Sequence, residues 1–236
     1  MPIEIKMEGQ VAVVTLNEGE NRFNPAFLSQ VMTALDRVEN ETEANVLVVN
    51  SAHDKIFSNG IDLDWLLPVI EKNDKAAAKG FIEAMMAMFK RVLLFPMPTI
   101  AAITGHAFAG GAIWSCYFDF RFMRSDRGYL CYPEVDLGIP FLPGMLAGMK
   151  KAIPRRTLED MVLTGKRLTA TECQTHQIIT RACPMETLME ETLGFAKTLN
   201  KKRSTVAAIK ADLNKDVVYA LEHEDPPIID SGRFFV

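Results

Sequence analysis

Three short stretches carry residue types that could do chemistry. In "YPEVDLGIPFLPG", residues 132–144, Glu134 follows a proline and has Tyr132, Val135, Leu137 and Ile139 for neighbours. A carboxyl group in apolar company loses hydration of its charged form. Its pKa then moves toward neutrality, which suits a general base. Asp136 is a competing carboxylate two residues on; in an extended segment both point to the same side, so spacing does not choose between them. In "GHAFAGGA", residues 105–112, two adjacent glycines stand where a helix begins. The first N–H groups of a helix have no intrahelical acceptor, and glycine there lets a ligand oxygen approach them. Close backbone packing is the other use of such a pair. The spacing fits neither G-x-G-x-x-G nor the phosphate loop with its Lys-Ser/Thr, so nucleotide binding of those kinds is not expected. In "FSNGID", residues 57–62, Asn59-Gly60 signals a turn and Asp62 is placed to cap a helix. Alone, this stretch reads as a strand-to-helix loop.

The flanking pattern indicates what must position these residues. "IEIKMEG" alternates and "QVAVVTLN" follows, with Glu8-Gly9 as a hairpin turn. "NPAFLSQVMTALDRVENE" spaces Phe27, Val31, Leu35 and Val38 as a helix, with Asn24 as N-cap and Pro25 in the first position. "NVLVVNSA" is a continuous apolar strand of the kind buried in a parallel sheet. Residues 62–95 read as helical. There Met85, Met86, Met88 and Phe89 form an apolar cluster, either core or an adaptable wall for a ligand. A short strand, "PMPTIAAITGHA", leads to a helix expected over 110–118. "DFRFMRS" and "GYLCYPEV" read as strands. From Leu142 the pattern is helical, with breaks near Pro154, Gly165 and Pro184. This order predicts an α/β fold with a helical C-terminal part, divided softly into a core over 1–190 and a segment over 191–236.

At 236 residues the chain is long enough for one well-buried core. Its net charge of −4 lacks the basic footprint of a nucleic-acid partner. Cys116, Cys131, Cys173 and Cys183 form no C-x-x-C pair and no metal-ligand spacing. They read as free thiols in a reducing compartment, so a cytoplasmic location is expected. No apolar run reaches membrane-spanning length. The opening "MPIEIKMEGQVAVVTL" lacks the pattern of a secretory leader, and "GRFFV" is not an SKL-type address.

Taken together and in order, the three stretches resemble the crotonase (enoyl-CoA hydratase/isomerase) superfamily over about residues 3–200. "FSNGIDL" is similar to its F-[SC]-x-G-x-D-[LI] loop. "ITGHAFAGGAIWSCYFDFRFM" is similar to its N-G-x-A-x-G-G-G-x-x-L-x-x-x-C-D segment, with Thr104 in place of the Asn. "YPEVDLGIP" is similar to its P-E-x-x-L-G-x-x-P segment. The resemblance implies a spiral of ββα units with a C-terminal helical trimerisation region, and an acyl-CoA thioester ligand. It also implies an oxyanion hole made by the backbone N–H groups of Ile61 and Gly110. Ser58, Asn59, Gly60 and Ile113 are the further substrate-binding positions carried over. Phe195, Leu199, Val206 and Ile209 are expected to supply apolar faces between subunits of a homotrimer or dimer of trimers. Arg22, Lys201, Lys202 and Arg203 are candidates for the CoA phosphates.

Hydratases of this superfamily carry two glutamates. The position of the first is Ile113 here, and the second corresponds to Glu134. The further acid of dienoyl-CoA isomerases falls on Leu142. The pattern is most similar to the Δ3,Δ2-enoyl-CoA isomerases that keep only the second glutamate. It implies conversion of a 3-enoyl-CoA to 2-trans-enoyl-CoA, with Glu134 as the catalytic proton shuttle. No metal and no cofactor beyond the CoA of the substrate are expected, nor a nucleic-acid or membrane partner. The alternatives are hydration, decarboxylation or C–C hydrolysis, with His106, Tyr132 or Asp136 as further polar groups, and an inactive acyl-CoA-binding protein.

Overall fold

The computed structural model describes residues 3–232; the last four residues, which include most of the "GRFFV" end, lie outside the described residues. The chain opens with β1 (Ile3–Glu8), β2 (Val11–Leu16) and β3 (Arg22–Phe23), then α1 (Pro25–Glu41) and β4 (Val46–Ser51). Next come β5 (Ile56–Ser58), β6 (Gly60–Ile61), α2 (Leu63–Glu71) and α3 (Lys75–Leu93). They are followed by β7 (Thr99–Ile103), β8 (His106–Phe108), α4 (Gly110–Ser115), β9 (Phe120–Arg124) and β10 (Leu130–Cys131). The helical remainder is α5 (Glu134–Leu137), α6 (Pro143–Ala152), α7 (Arg155–Thr164) and α8 (Ala170–Thr175), then a short strand β11 (Arg181–Cys183). It ends with α9 (Met185–Lys197), α10 (Arg203–Leu213), α11 (Lys215–Tyr219), a π-helical turn over Ala220–Glu224 and α12 (Asp225–Ser231).

The main sheet has the order β1-β2-β4-β7-β9-β11, with β1 antiparallel to β2 and the rest parallel. Strand alternation divides its side chains cleanly. Val11, Val13, Val46, Val48, Ile100 and Ala102 face a smaller core that Leu188 and Ala196 of α9 cover. Ala12, Val14, Leu47, Val49, Ala101 and Ile103 face the large core with the remaining helices. The continuous apolar run of β4 is thus buried on both faces, as a parallel strand requires. A second sheet, β10-β8-β5, is entirely parallel, and β3 pairs with β6. These small sheets hold the loops that carry the unusual residues.

The helix signals in the sequence have direct physical counterparts. The Asn24 side chain accepts from the Phe27 N–H at 2.9 Å and Pro25 occupies the first turn of α1. Gly165 ends α7 in the left-handed conformation. Residues 62–95 form two helices rather than one, because Asn73 takes a φ of 52° between them. The soft boundary near residue 190 falls inside α9. That helix packs on the sheet through Leu188 and Ala196, so the chain leaves the core only after it. Phe195 and Leu199, expected as subunit contacts, are half-buried against the smaller core of this chain. The ring centroid of Phe195 lies 4.9 Å from Phe120 and 5.4 Å from Phe122.

Candidate active site

The glycines bring two backbone segments into direct contact. Gly60 has a φ of 73°, and a Cβ built on it would lie 2.6 Å from Gly110 N and 3.0 Å from Phe108 O. A Cβ on Gly111 would lie 2.4 Å from Ser58 O. Only residues without a side chain let the β5–β6 segment and the start of α4 approach this closely. Aromatic packing holds the pair from behind: Trp114 of α4 stacks on Phe57 of β5 at 6.0 Å and meets Phe23 of β3 edge-on at 6.0 Å. Gly111→Ala is therefore expected to destabilise the fold by about 1–3 kcal/mol, as overpacking against fixed backbone does. Denaturant unfolding would measure this, and an unchanged midpoint would contradict the contact.

Within this frame Ile61 and Gly110, the two expected backbone donors, border one cavity. Asp62 N–H donates to Phe23 O at 2.9 Å, and successive strand residues alternate sides, so Ile61 N–H faces away from β3. Gly110 is the first residue of α4, whose leading N–H groups have no acceptor within the helix. Both Ile61 and Gly110 line a cavity of about 250 Å³. The helix ends at Ser115, shorter than the sequence suggests. Placement of the donors, more than a macrodipole built over many turns, is what this helix supplies.

Glu134 lines the same cavity. The sequence predicts an extended segment here, but the structure has the four-residue helix α5, ended by Gly138 at a φ of 69°. At roughly 100° per residue this turns Glu134 and Asp136 to opposite sides. Glu134 is 7% exposed, whereas Asp136 is exposed and does not line the cavity. Of the two carboxylates, the cavity therefore holds Glu134 alone. Glu134 Oε2 is buried without a hydrogen-bond partner. Desolvation lifts its pKa from 4.5 to about 7, opposed only by its own backbone N–H. Among the described residues lining the cavity, Glu134 is the one ionisable side chain and Asn59 the one other polar side chain. Ile113, Leu66, Met85, Phe141 and Met145 make the rest of the wall apolar.

The other expected positions separate by role. Asn59 lines the cavity and donates to Glu20 at 3.0 Å. Ser58 is buried outside it, donating to Asn21 O at 2.7 Å and accepting from Gly60 N–H at 3.2 Å. Ser58 and Gly60 shape the loop and are not among the residues that line the cavity. His106 packs its ring 4.2 Å from Tyr129, away from the cavity. Tyr132 is buried with its hydroxyl 3.1 Å from Cys116 Sγ. Met85 belongs to the wall while Met86, Met88 and Phe89 are core. The Arg203 guanidinium is taken up by the carbonyls of Glu39, Thr42 and Ala44, and Arg22 pairs with Glu20 and Asp64. Phe141 and Met145 reach the wall from α6 and the segment before it, and no motif in the sequence marks them.

Residues 6–225 match the family described as enoyl-CoA hydratase/isomerase. The chain belongs to this family. It is similar to enoyl-CoA delta isomerase 3 of Arabidopsis thaliana, with 33% identity over 213 residues, covering 84% of this chain and 85% of that protein. It is also similar to a putative enoyl-CoA hydratase of Thermus thermophilus, 30% identical over 209 residues, covering 87% of this chain and 81% of the relative. A solved structure of a probable enoyl-CoA hydratase from Mycobacterium tuberculosis superposes with a TM-score of 0.89 over 99% of this chain and 97% of that one, at 21% identity. That likeness establishes the crotonase-type fold. The isomerase and hydratase relatives together leave the reaction to be argued from the site. Among the described residues, no helix is long and apolar enough to cross a membrane.

Proposed function

We propose that the protein is a Δ3,Δ2-enoyl-CoA isomerase. The observation that carries this reading is a single buried carboxylate, Glu134, in a cavity where Ile113 holds an apolar side chain at the position of a second acid. In the proposed reaction the thioester oxygen of a 3-enoyl-CoA accepts from the Ile61 and Gly110 N–H groups. Glu134 takes a proton from C2, and the electron pair delocalises into a dienolate whose oxygen the two donors stabilise. The carboxylic acid then returns a proton to C4, giving the 2-enoyl thioester and restoring the carboxylate. Hydration needs an activated water and a second proton carrier; an apolar wall supports keeping water out. CoA enters as part of the substrate, and no step calls for a metal or redox group. The four free, buried cysteines are in keeping with a reducing compartment such as the cytoplasm.

Product analysis with 3-hexenoyl-CoA, 2-hexenoyl-CoA and a malonyl-type CoA ester tests the reading. Isomerisation of the first should dominate; a 3-hydroxyacyl or decarboxylated main product would replace it. Because Glu134 must be ionised to accept a proton, the rate should rise with pH and reach half its plateau near pH 7. A flat profile from pH 5 to 8 would remove Glu134 as the base.

We also infer a homotrimer, alone or paired into a hexamer. Ile209 and Leu213 on α10 and Tyr219 on α11 are 58%, 74% and 57% exposed, an apolar surface beyond the packed core. The doubly substituted Ile209→Glu, Leu213→Glu chain should sediment as a monomer where the parent sediments as a trimer or larger. A parent that is monomeric at micromolar concentration would overturn this.

A further inference from the structure

Ala109 has the least favourable backbone conformation in the site. Its φ is 48° and its ψ −125°, outside the wells open to a residue with a Cβ and within the range that glycine occupies. Asn21, Asn73 and Gln177 also have positive φ, but Asn tolerates this region and none of the three lines the cavity. The Ala109 backbone is held on both sides. Its N–H donates to Cys131 O at 3.0 Å and its carbonyl accepts from Ile113 N–H at 2.9 Å. The strain therefore cannot be relieved by a small rotation. Glycine would satisfy the same hydrogen bonds and the same dihedrals without strain. What alanine adds is one methyl group, on a half-buried residue of the cavity wall whose neighbours Ala107, Gly110, Gly111 and Ala112 are buried.

The Ala109 backbone also adjoins both groups assigned to the reaction. The next residue is Gly110, the donor assigned to the thioester oxygen. Across the backbone hydrogen bond is Cys131, three residues before Glu134, the group assigned to the C2 proton. A substrate held by both places the bond between C1 and C2 alongside Ala109. We propose that Ala109 is a specificity-determining residue whose methyl group, kept in a glycine-like backbone conformation, excludes acyl-CoA substrates that carry a substituent at C2. The placement of C2 rests on the isomerase reading above. A linear chain presents only hydrogen there; a 2-methyl branch must share the space with the Ala109 methyl. In a closed pocket one such group changes kcat/KM by roughly 10–200-fold.

The test compares 3-hexenoyl-CoA with 2-methyl-3-hexenoyl-CoA on the parent, Ala109→Gly and Ala109→Ser. The parent should favour the linear ester by at least about tenfold, and Ala109→Gly should bring the two within about threefold. Ala109→Ser keeps a Cβ and should keep the parental preference. Ala109→Gly should also melt higher, by roughly 2–4 °C, because strain is released. Calorimetric binding of hexanoyl-CoA and 2-methylhexanoyl-CoA to the parent and Ala109→Gly gives the same comparison without turnover. A parent indifferent to the branch, an unchanged preference in Ala109→Gly, or a lowered melting temperature would overturn the proposal. Absence of isomerisation of 3-hexenoyl-CoA by the parent would instead overturn the isomerase reading, and the saturated esters would still decide the role of Ala109.

Discussion

Glu134→Gln is expected to lower isomerisation of a 3-enoyl-CoA by roughly 10²–10⁴, the usual contribution of a general base, while acyl-CoA binding changes little. The amide keeps the shape of the side chain and cannot accept the C2 proton. The same variant should be more stable than the parent at alkaline pH. In the folded chain the carboxyl titrates at about 7 against 4.5 for the free side chain, through burial. A raised carboxyl pKa means that the neutral form is favoured by folding. The stability it contributes is complete below pH 4.5 and is lost as pH rises through about 7. That interval corresponds to about 3 kcal/mol. Gln has no charge to bury, so its advantage should be near zero at pH 4 and approach this amount at pH 8. Urea unfolding at the two pH values measures it. Equal differences at both would mean that Glu134 is not desolvated as described, and near-parental turnover would move the base elsewhere.

Gly110→Pro is expected to lower kcat by roughly 10²–10³ by deleting one of the two donors to the developing enolate oxygen. The first position of a helix accepts proline, whose fixed φ suits it and whose missing N–H breaks no helical bond. The added carbons do meet neighbours: a Cβ at Gly110 lies 3.3 Å from Gly60 Cα and 3.3 Å from the Phe23 ring. Proline also confines the residue before it to extended backbone, which Ala109 at a φ of 48° is not, so a stability loss of about 3 kcal/mol or more should accompany the kinetic effect. The near-ultraviolet circular dichroism should stay native, because Trp114 and its aromatic neighbours are not displaced. A folded variant with parental kcat would show that Gly110 N–H does not hold the oxygen.

Much of this site was legible in the sequence because its parts sit in local motifs. Gly60 and Gly111 stand out because no side chain fits there, Gly110 because it opens the helix, and a buried Glu after proline stands out by its company. Several strands of the main sheet are legible because they alternate or run continuously apolar, whereas their order and register are not. What could not be read depends on long-range packing or on a short conformational choice. The α5 helix separates Glu134 from Asp136, yet "PEVDLG" is too short for periodicity to distinguish helix from strand. The strand β11 has three residues and exists by pairing with β9. Ser58 belongs to the motif, but its hydroxyl turns to Asn21 O, a contact across 37 residues. Phe195 looked like an outward apolar face because an amphipathic helix shows its stripe without showing what covers it. The strain at Ala109 has no counterpart in composition, since alanine rarely adopts such a conformation.

The central claim is that one carboxylate in a water-excluding cavity moves a proton along the substrate. Proton NMR of 3-hexenoyl-CoA turned over by the enzyme tests it most directly, since each candidate product has its own signals. The conjugated vinyl protons of 2-trans-hexenoyl-CoA should grow at the expense of the isolated C3–C4 alkene, with no early carbinol signal. A carbinol proton at C3 rising as the first or dominant product would show that the site activates water, and would contradict the account.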